Sequence, residues 1–342
     1  MNNNRFHFLD VLRGLAIAGI LLVNAPDLVR LGSAHPAQPP AGRTLLDLTV
    51  QSRLVPIFAV LFGVTMWLMV DGARRRGRRP GPALVLRMAG LGAIGLLHSL
   101  AFSGDILREY AVVGLLLIPF ALWAAPWLSL TLGLVATAVS FGLFNGGVES
   151  LPGLMLIGLG CAGLGVPALL ERRGRPVAWA LAAALPVAAL AIAAQVSAGG
   201  GDPRFVIEGA RAGLATAVVY VLAASLAWQW APARAVLSAC FTALGRAALT
   251  CYVSASVVFA GLAHSVDFTG DDTVWRVLGI AVAVLAVQAL LAAWWLRHFT
   301  GGPLEWLLRA VTWWSLPPLR RGAHRRPASA READLRTVES SV

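Results

Sequence analysis

The chain has 342 residues, of which 58% are hydrophobic and only 13% charged, and its mean hydropathy is +0.72. A soluble domain carries about a quarter charged residues, so this composition excludes a water-facing fold and calls for lipid as the solvent. The net charge of +11 does not point to nucleic acid, because the arginines gather in short loops and in the tail, the pattern that orients a multi-pass membrane protein.

Apolar runs of membrane length, about 20 residues, recur along the chain. About ten are predicted, at 8–25, 53–71, 84–103, 107–124, 127–144, 152–170, 177–197, 210–230, 245–264 and 274–296. The first begins near Leu9, has no small-residue cleavage site and continues to Asn24 and Pro26, so it reads as a retained helix and not as a signal peptide. The connections after the second, sixth, eighth and tenth runs are basic, while those after the first, third, seventh and ninth carry acids. Both termini are therefore expected in the cytoplasm. The fold class is an all-α transmembrane bundle, a single domain over residues 1–315, followed by a basic tail over 316–342 of disordered composition.

Asp10 and Arg13 in the first run share a helix face. They read either as an ion pair at the membrane edge or as a contact to a phosphate-bearing donor. The first outer loop is Pro-rich without periodicity and holds His35, and Gln51 and Arg53 follow it at the outer mouth. Next comes LHSLAFSGDILREYAVVGLLL, where His98, Asp105, Arg108, Glu109 and Tyr110 crowd the joint between two apolar runs. Ionisable groups in such a setting pair, line water or do chemistry. His98 could bridge helices by a hydrogen bond, or serve beside a carboxylate as a general base.

The fifth to eighth runs are monotonous Leu, Ala, Val and Gly, and read as scaffold. The ninth carries Arg246, Thr250, Tyr252, Ser254 and Ser256, a polar side suited to a cavity. After the tenth, RHFTGGPLEWLLRAVTWW is too short to span and reads as an interfacial helix over about 299–315, with Glu305 and Arg309 as i,i+4 partners. Cys161, Cys240 and Cys251 lie in apolar context without ligand spacing, so neither a disulfide framework nor a metal site is expected.

In order and spacing, RFHFLDVLRGLAIAGILLVN, FAVLFGV, GLLHSLAFSGDILREYAVVGLLL, LGRAALTCY and RHFTGGPLEWLLRAVT resemble the bacterial YeiB-like membrane proteins, the domain of unknown function 418. The resemblance runs from about Arg5 to Trp314. It implies a bundle of about ten helices and kinship with the transmembrane acyltransferases, including acyltransferase 3 proteins and heparan-alpha-glucosaminide N-acetyltransferase. Those enzymes open on an RG-bearing helix and carry an acyl group from cytoplasmic acyl-CoA to an acceptor at the outer side. Asn24 and His35 stand here as an Asn and the catalytic His do in the heparan enzyme. YeiB-like proteins do not regularly have a His at the place of His35, whereas His98 belongs to their hairpin motif.

The leading expectation is an integral-membrane acyltransferase in the bacterial cytoplasmic membrane, with membrane lipids, acyl-CoA and an unidentified acceptor as partners and no permanently bound cofactor. His98, or His35, would deprotonate the acceptor or carry the acyl group, Asp105 would orient the imidazole, and Asn24 would meet the oxyanion. Arg13, Arg53, Arg108, Glu109, Arg246 and Tyr252 are the expected substrate contacts, the arginines suiting donor phosphates. A transporter or flippase of a small solute or lipid, and a non-catalytic scaffold, are the other two readings of the same residues.

Overall fold

Where no water is available, a chain satisfies its own N–H and C=O groups most simply in helices, and the described residues, 6–35 and 39–320 of a computed structural model, form them almost throughout. In chain order they are α1 (His7–Leu28), α2 (Arg43–Thr49), α3 (Leu54–Arg75), α4 (Pro80–His98), α5 (Leu107–Leu116), α6 (Ile118–Trp123), α7 (Pro126–Leu143), α8 (Leu151–Gly163) and α9 (Val166–Arg172). There follow α10 (Gly174–Ser197), α11 (Ile207–Gln229), α12 (Ala231–Arg246), α13 (Ala248–Ser265), α14 (Trp275–His298) and α15 (Pro303–Trp313). The expected tail beyond residue 320 lies outside the described residues.

Among the described residues, eight helical segments are long and apolar enough to cross a membrane: α1, α2 continuing into α3, α4, α7, α10, α11, α13 and α14. A ninth is made by α8 and α9 if the pair, bent by 72°, is one span. The bend falls at Gly165, whose φ of +80° suits a residue without Cβ. The chain is thus a multi-pass helical membrane protein. The expected span at 107–124 arrives instead as α5 and α6, broken at Leu117 and each too short to cross. Pro119, one residue into α6, has no N–H to offer the preceding turn.

Two helices stand where the sequence suggested loops. In the Pro-rich outer loop, α2 is held by an Arg43–Asp47 ion pair one turn apart and by the Tyr220 hydroxyl donating to the Thr49 carbonyl. Between the eighth and ninth runs, α12 crosses α1 so closely that a Cβ on Gly14 would meet the Phe241 carbonyl, and one on Gly245 the Asp10 carbonyl. Small residues permit such backbone approach.

The bundle is organised around α1. It is 78% buried over its membrane-length stretch, against 17% for α14 and 11% for α10, and it packs on α3, α12, α13 and α14. The apolar faces of α10 and α14 are left for lipid.

Loops expected on one side meet each other. On the side expected to face outward, Arg43 and Arg204 bind Asp27 and Asp202 in one network, and the stretch after α1 hydrogen-bonds to Phe268 and Thr269. On the opposite side, the His7 backbone N–H donates to Glu171, Arg74 to the Leu122 carbonyl, and Arg76 and Arg78 lie over Trp313.

Candidate functional site

His98 closes α4, and the turn that follows folds onto it: the N–H groups of Ala101 and Phe102 both donate to its carbonyl. The sequence placed His98 about one and a half to two turns before the joint, inside a longer helix; in the structure it is the last helical residue. That turn returns Asp105 to the histidine ring, with His98 Nδ1 2.7 Å from Asp105 Oδ1. Both side chains are essentially sealed from solvent, at 1% and 0% exposure.

Two further donors complete the carboxylate. The Tyr252 hydroxyl reaches Asp105 Oδ1 at 3.3 Å, and the Leu107 N–H reaches Oδ2 at 3.2 Å. Tyr252 also lays its ring against the imidazole, with centroids 5.0 Å apart. Because every partner of Asp105 is a donor, the carboxylate is best served by a proton on His98 Nδ1. The lone pair then lies on Nε2, which is buried with no hydrogen-bond partner among the described residues. A neutral imidazole oriented by a carboxylate, with its other nitrogen unpaired, is the arrangement of a general base.

A cavity of about 340 Å³ leads toward this group from the helix ends on the side of the Arg74–Arg79 loop. At one end it is lined by Arg13, Arg87, Arg246 and Arg309 with Asp10 and Glu305; at the other by Ile106, Leu107, Tyr110 and Tyr252. Tyr252 is the member of the His98–Asp105–Tyr252 group that faces this space. On its other side is a cleft of about 10 Å³, shared with Asn24, Ser256 and Gln288, room for about one water. The sequence put Asp105 in an outer loop; the structure instead buries it between helices, against a tyrosine one turn into α13.

Of the other expected residues, Arg13 lies on the cavity and donates to Asp10 at 3.3 Å and to Thr65 at 3.1 Å. Arg246 lines it too, and Asn24 reaches only the small cleft. His35 is exposed in the loop after α1 and does not line the cavity. Arg53 is fully buried and its two terminal nitrogens donate to the Gln51 carbonyl and to Gln195, fastening the start of α3 to α10. Arg108 and Glu109 sit 3.7 Å apart on the flank of α5 and do not reach the cavity. The structure therefore does not bring Arg53, Arg108, Glu109 or His35 to the site.

Glu305 is not the partner of Arg309. Its carboxylate accepts the N–H groups of Leu249 and Thr250 and the Thr250 hydroxyl, capping the first turn of α13, where a negative charge meets unpaired amides and the helix dipole. Sequence reasoning passed over Arg87, although a lone arginine in the run PALVLRMAGLG is itself the signal.

Residues 168–315 match the family described as Protein of unknown function (DUF418). The matched stretch holds Arg246, Tyr252, Glu305 and Arg309; the His98–Asp105 hairpin precedes it. Uncharacterized protein YxaH of Bacillus subtilis (strain 168) is 28% identical, over 94% of this chain and 97% of the relative. An uncharacterized 39.9 kDa protein from the amylase 3' region of Bacillus acidopullulyticus is 26% identical over 91% and 94%. Uncharacterized protein YeiB of Escherichia coli (strain K12) is 27% identical over 89% and 95%. The chain is thus similar to YxaH and YeiB along about nine-tenths of its length, and matches the DUF418 family over residues 168–315.

Proposed function

We propose that this protein is an integral-membrane acyltransferase of the bacterial cytoplasmic membrane, moving an acyl group from cytoplasmic acyl-CoA to a hydroxyl or amine presented from the outer side. The observation that carries this reading is the single cavity joining a cationic inner end to Tyr252, beside the buried His98–Asp105 pair. A thioester arm anchored by its phosphates at the arginines would point its reactive carbon toward that pair.

In the reaction we infer, His98 Nε2 takes the acceptor proton as the acceptor oxygen or nitrogen attacks the thioester carbonyl. The tetrahedral intermediate then collapses, the C–S bond breaks, and the departing thiolate receives the proton back from Nε2. Asp105 stabilises the imidazolium between the two transfers. A transport reading finds less support, since the sharply broken pair α8–α9 contributes no residue to the cavity.

The test uses protein in nanodiscs with labelled acetyl- and longer acyl-CoAs, followed for binding, thioester cleavage and label transfer to membrane extract. Turnover should be lost in His98→Ala and kept in His35→Ala. The opposite pattern moves the site to the first outer loop, and failure of folded wild type to bind any acyl-CoA rejects acyl transfer.

A further inference from the structure

Two cations at the inner end of the cavity, Arg87 and Arg309, carry charges that neither the hairpin chemistry nor the ion pairs among the described residues explain. Four guanidinium groups, from Arg13, Arg87, Arg246 and Arg309, line it with only two carboxylates, Asp10 and Glu305. Asp10 is engaged by Arg13, and Glu305 by three donors of α13. Arg87 comes from the middle of α4, and the charged groups near enough to act on it are Arg13, Arg309 and Glu305. Among the described residues no carboxylate stands within ion-pair distance of Arg87 or of Arg309. Like charges converging inside a membrane protein are held at high cost unless an anion joins them. The walls beyond are apolar, with Ile17, Phe58, Phe62 and Leu91.

We propose that Arg87, with Arg13, Arg246 and Arg309, forms a binding site for a phosphate group carried by an amphiphile, the phosphate on the arginines and the slender remainder along the apolar walls. Planar guanidinium forks suit phosphate oxygens. The phosphate belongs either to a soluble thioester carrier or to a lipid headgroup. The site stands whether or not acyl transfer does, because it concerns binding alone.

The experiment uses the full chain in phosphatidylcholine nanodiscs. One arm titrates free CoA, without an acyl group; the other exchanges labelled phosphatidic acid into the disc and measures its retention on the protein. Saturable binding of either probe is expected, weakened about tenfold or more by Arg87→Gln, the loss of one charge-assisted contact, less by Arg87→Lys, and not by Arg297→Gln on the exposed end of α14. Should Arg87→Gln fail to fold, Arg309→Gln at the cavity's exposed edge replaces it. Binding of CoA assigns the soluble source, and binding of phosphatidic acid alone assigns the lipid and leaves acyl transfer without its donor. If neither probe saturates wild type, or folded Arg87→Gln binds as tightly as wild type, the site is refuted.

Discussion

Replacing Asp105 by Asn separates the orienting role of the carboxylate from its role in holding the hairpin. Asp105 accepts three hydrogen bonds, from His98 Nδ1, the Tyr252 hydroxyl and the Leu107 N–H, in a place no water reaches. Asn keeps the shape but exchanges one acceptor for a donor. With its carbonyl on the Leu107 N–H, its amide faces His98 and forces the proton from Nδ1 to Nε2, so the base is lost while the contacts largely survive. All three bonds fall from charge-assisted to neutral, about 1 kcal/mol each, partly offset because a buried charge has been removed. A net loss of about 1–2 kcal/mol is expected. Activity should fall on the order of 10³–10⁴-fold, as for an oriented base given the wrong tautomer. Asp105→Ala strands all three donors and should cost about 3–5 kcal/mol. Thermal unfolding in nanodiscs and label transfer from acyl-CoA read the two quantities side by side. If folded Asp105→Asn keeps transfer within about tenfold of wild type, His98 is not a base oriented by Asp105.

Three further outcomes follow from other contacts. Tyr252→Phe removes one hydroxyl and keeps the ring against His98, so it should cost about 1 kcal/mol or less in unfolding assays while lowering transfer at least tenfold. Gly245→Ala drives a methyl group into the Asp10 carbonyl where α12 crosses α1; it should destabilise by about 1–3 kcal/mol, and an unchanged melting temperature would contradict the crossing. At Asp202, burial pushes the carboxyl up, but hydrogen bonds from Arg204 and the charges of Arg204 and Arg43 hold it below the usual range. Its folded value is thus lower than its unfolded one, near 4. The stabilisation is complete above about pH 5 and is lost as pH falls through the folded value. Melting temperature should drop between about pH 5 and pH 3, with a shallower drop in Arg204→Gln.

The long apolar helices were legible because lipid makes hydropathy and length nearly sufficient, and α1, α4, α10, α11 and α14 lie close to their predicted places. The interrupted helices were not, since an α5 broken before Pro119 and an α8 bent from α9 have the composition of continuous spans. For α12, the helix is placed by Gly14 and Gly245 meeting across the chain, a long-range fact that no local window contains. The pairing of His98 with Asp105 could be read from their spacing, whereas Tyr252, 147 residues further along from Asp105, needed the fold to join them. Arg53, Arg108 and Glu109 misled for a common reason. Charge near a membrane end signals that a partner is required, and says nothing about whether that partner is a substrate or, as for Arg53, a glutamine on another helix.

The measurement that bears most directly on function is a single-turnover experiment on wild type in sealed proteoliposomes, with labelled acyl-CoA supplied only on the side of the Arg74–Arg79 loop. Acyl transfer through the Tyr252 cavity predicts that thioester cleavage matches the appearance of label, as ester or amide, on acceptor supplied at the opposite face, and that both vanish together in His98→Ala. Folded wild type that neither consumes acyl-CoA nor labels any acceptor would contradict it.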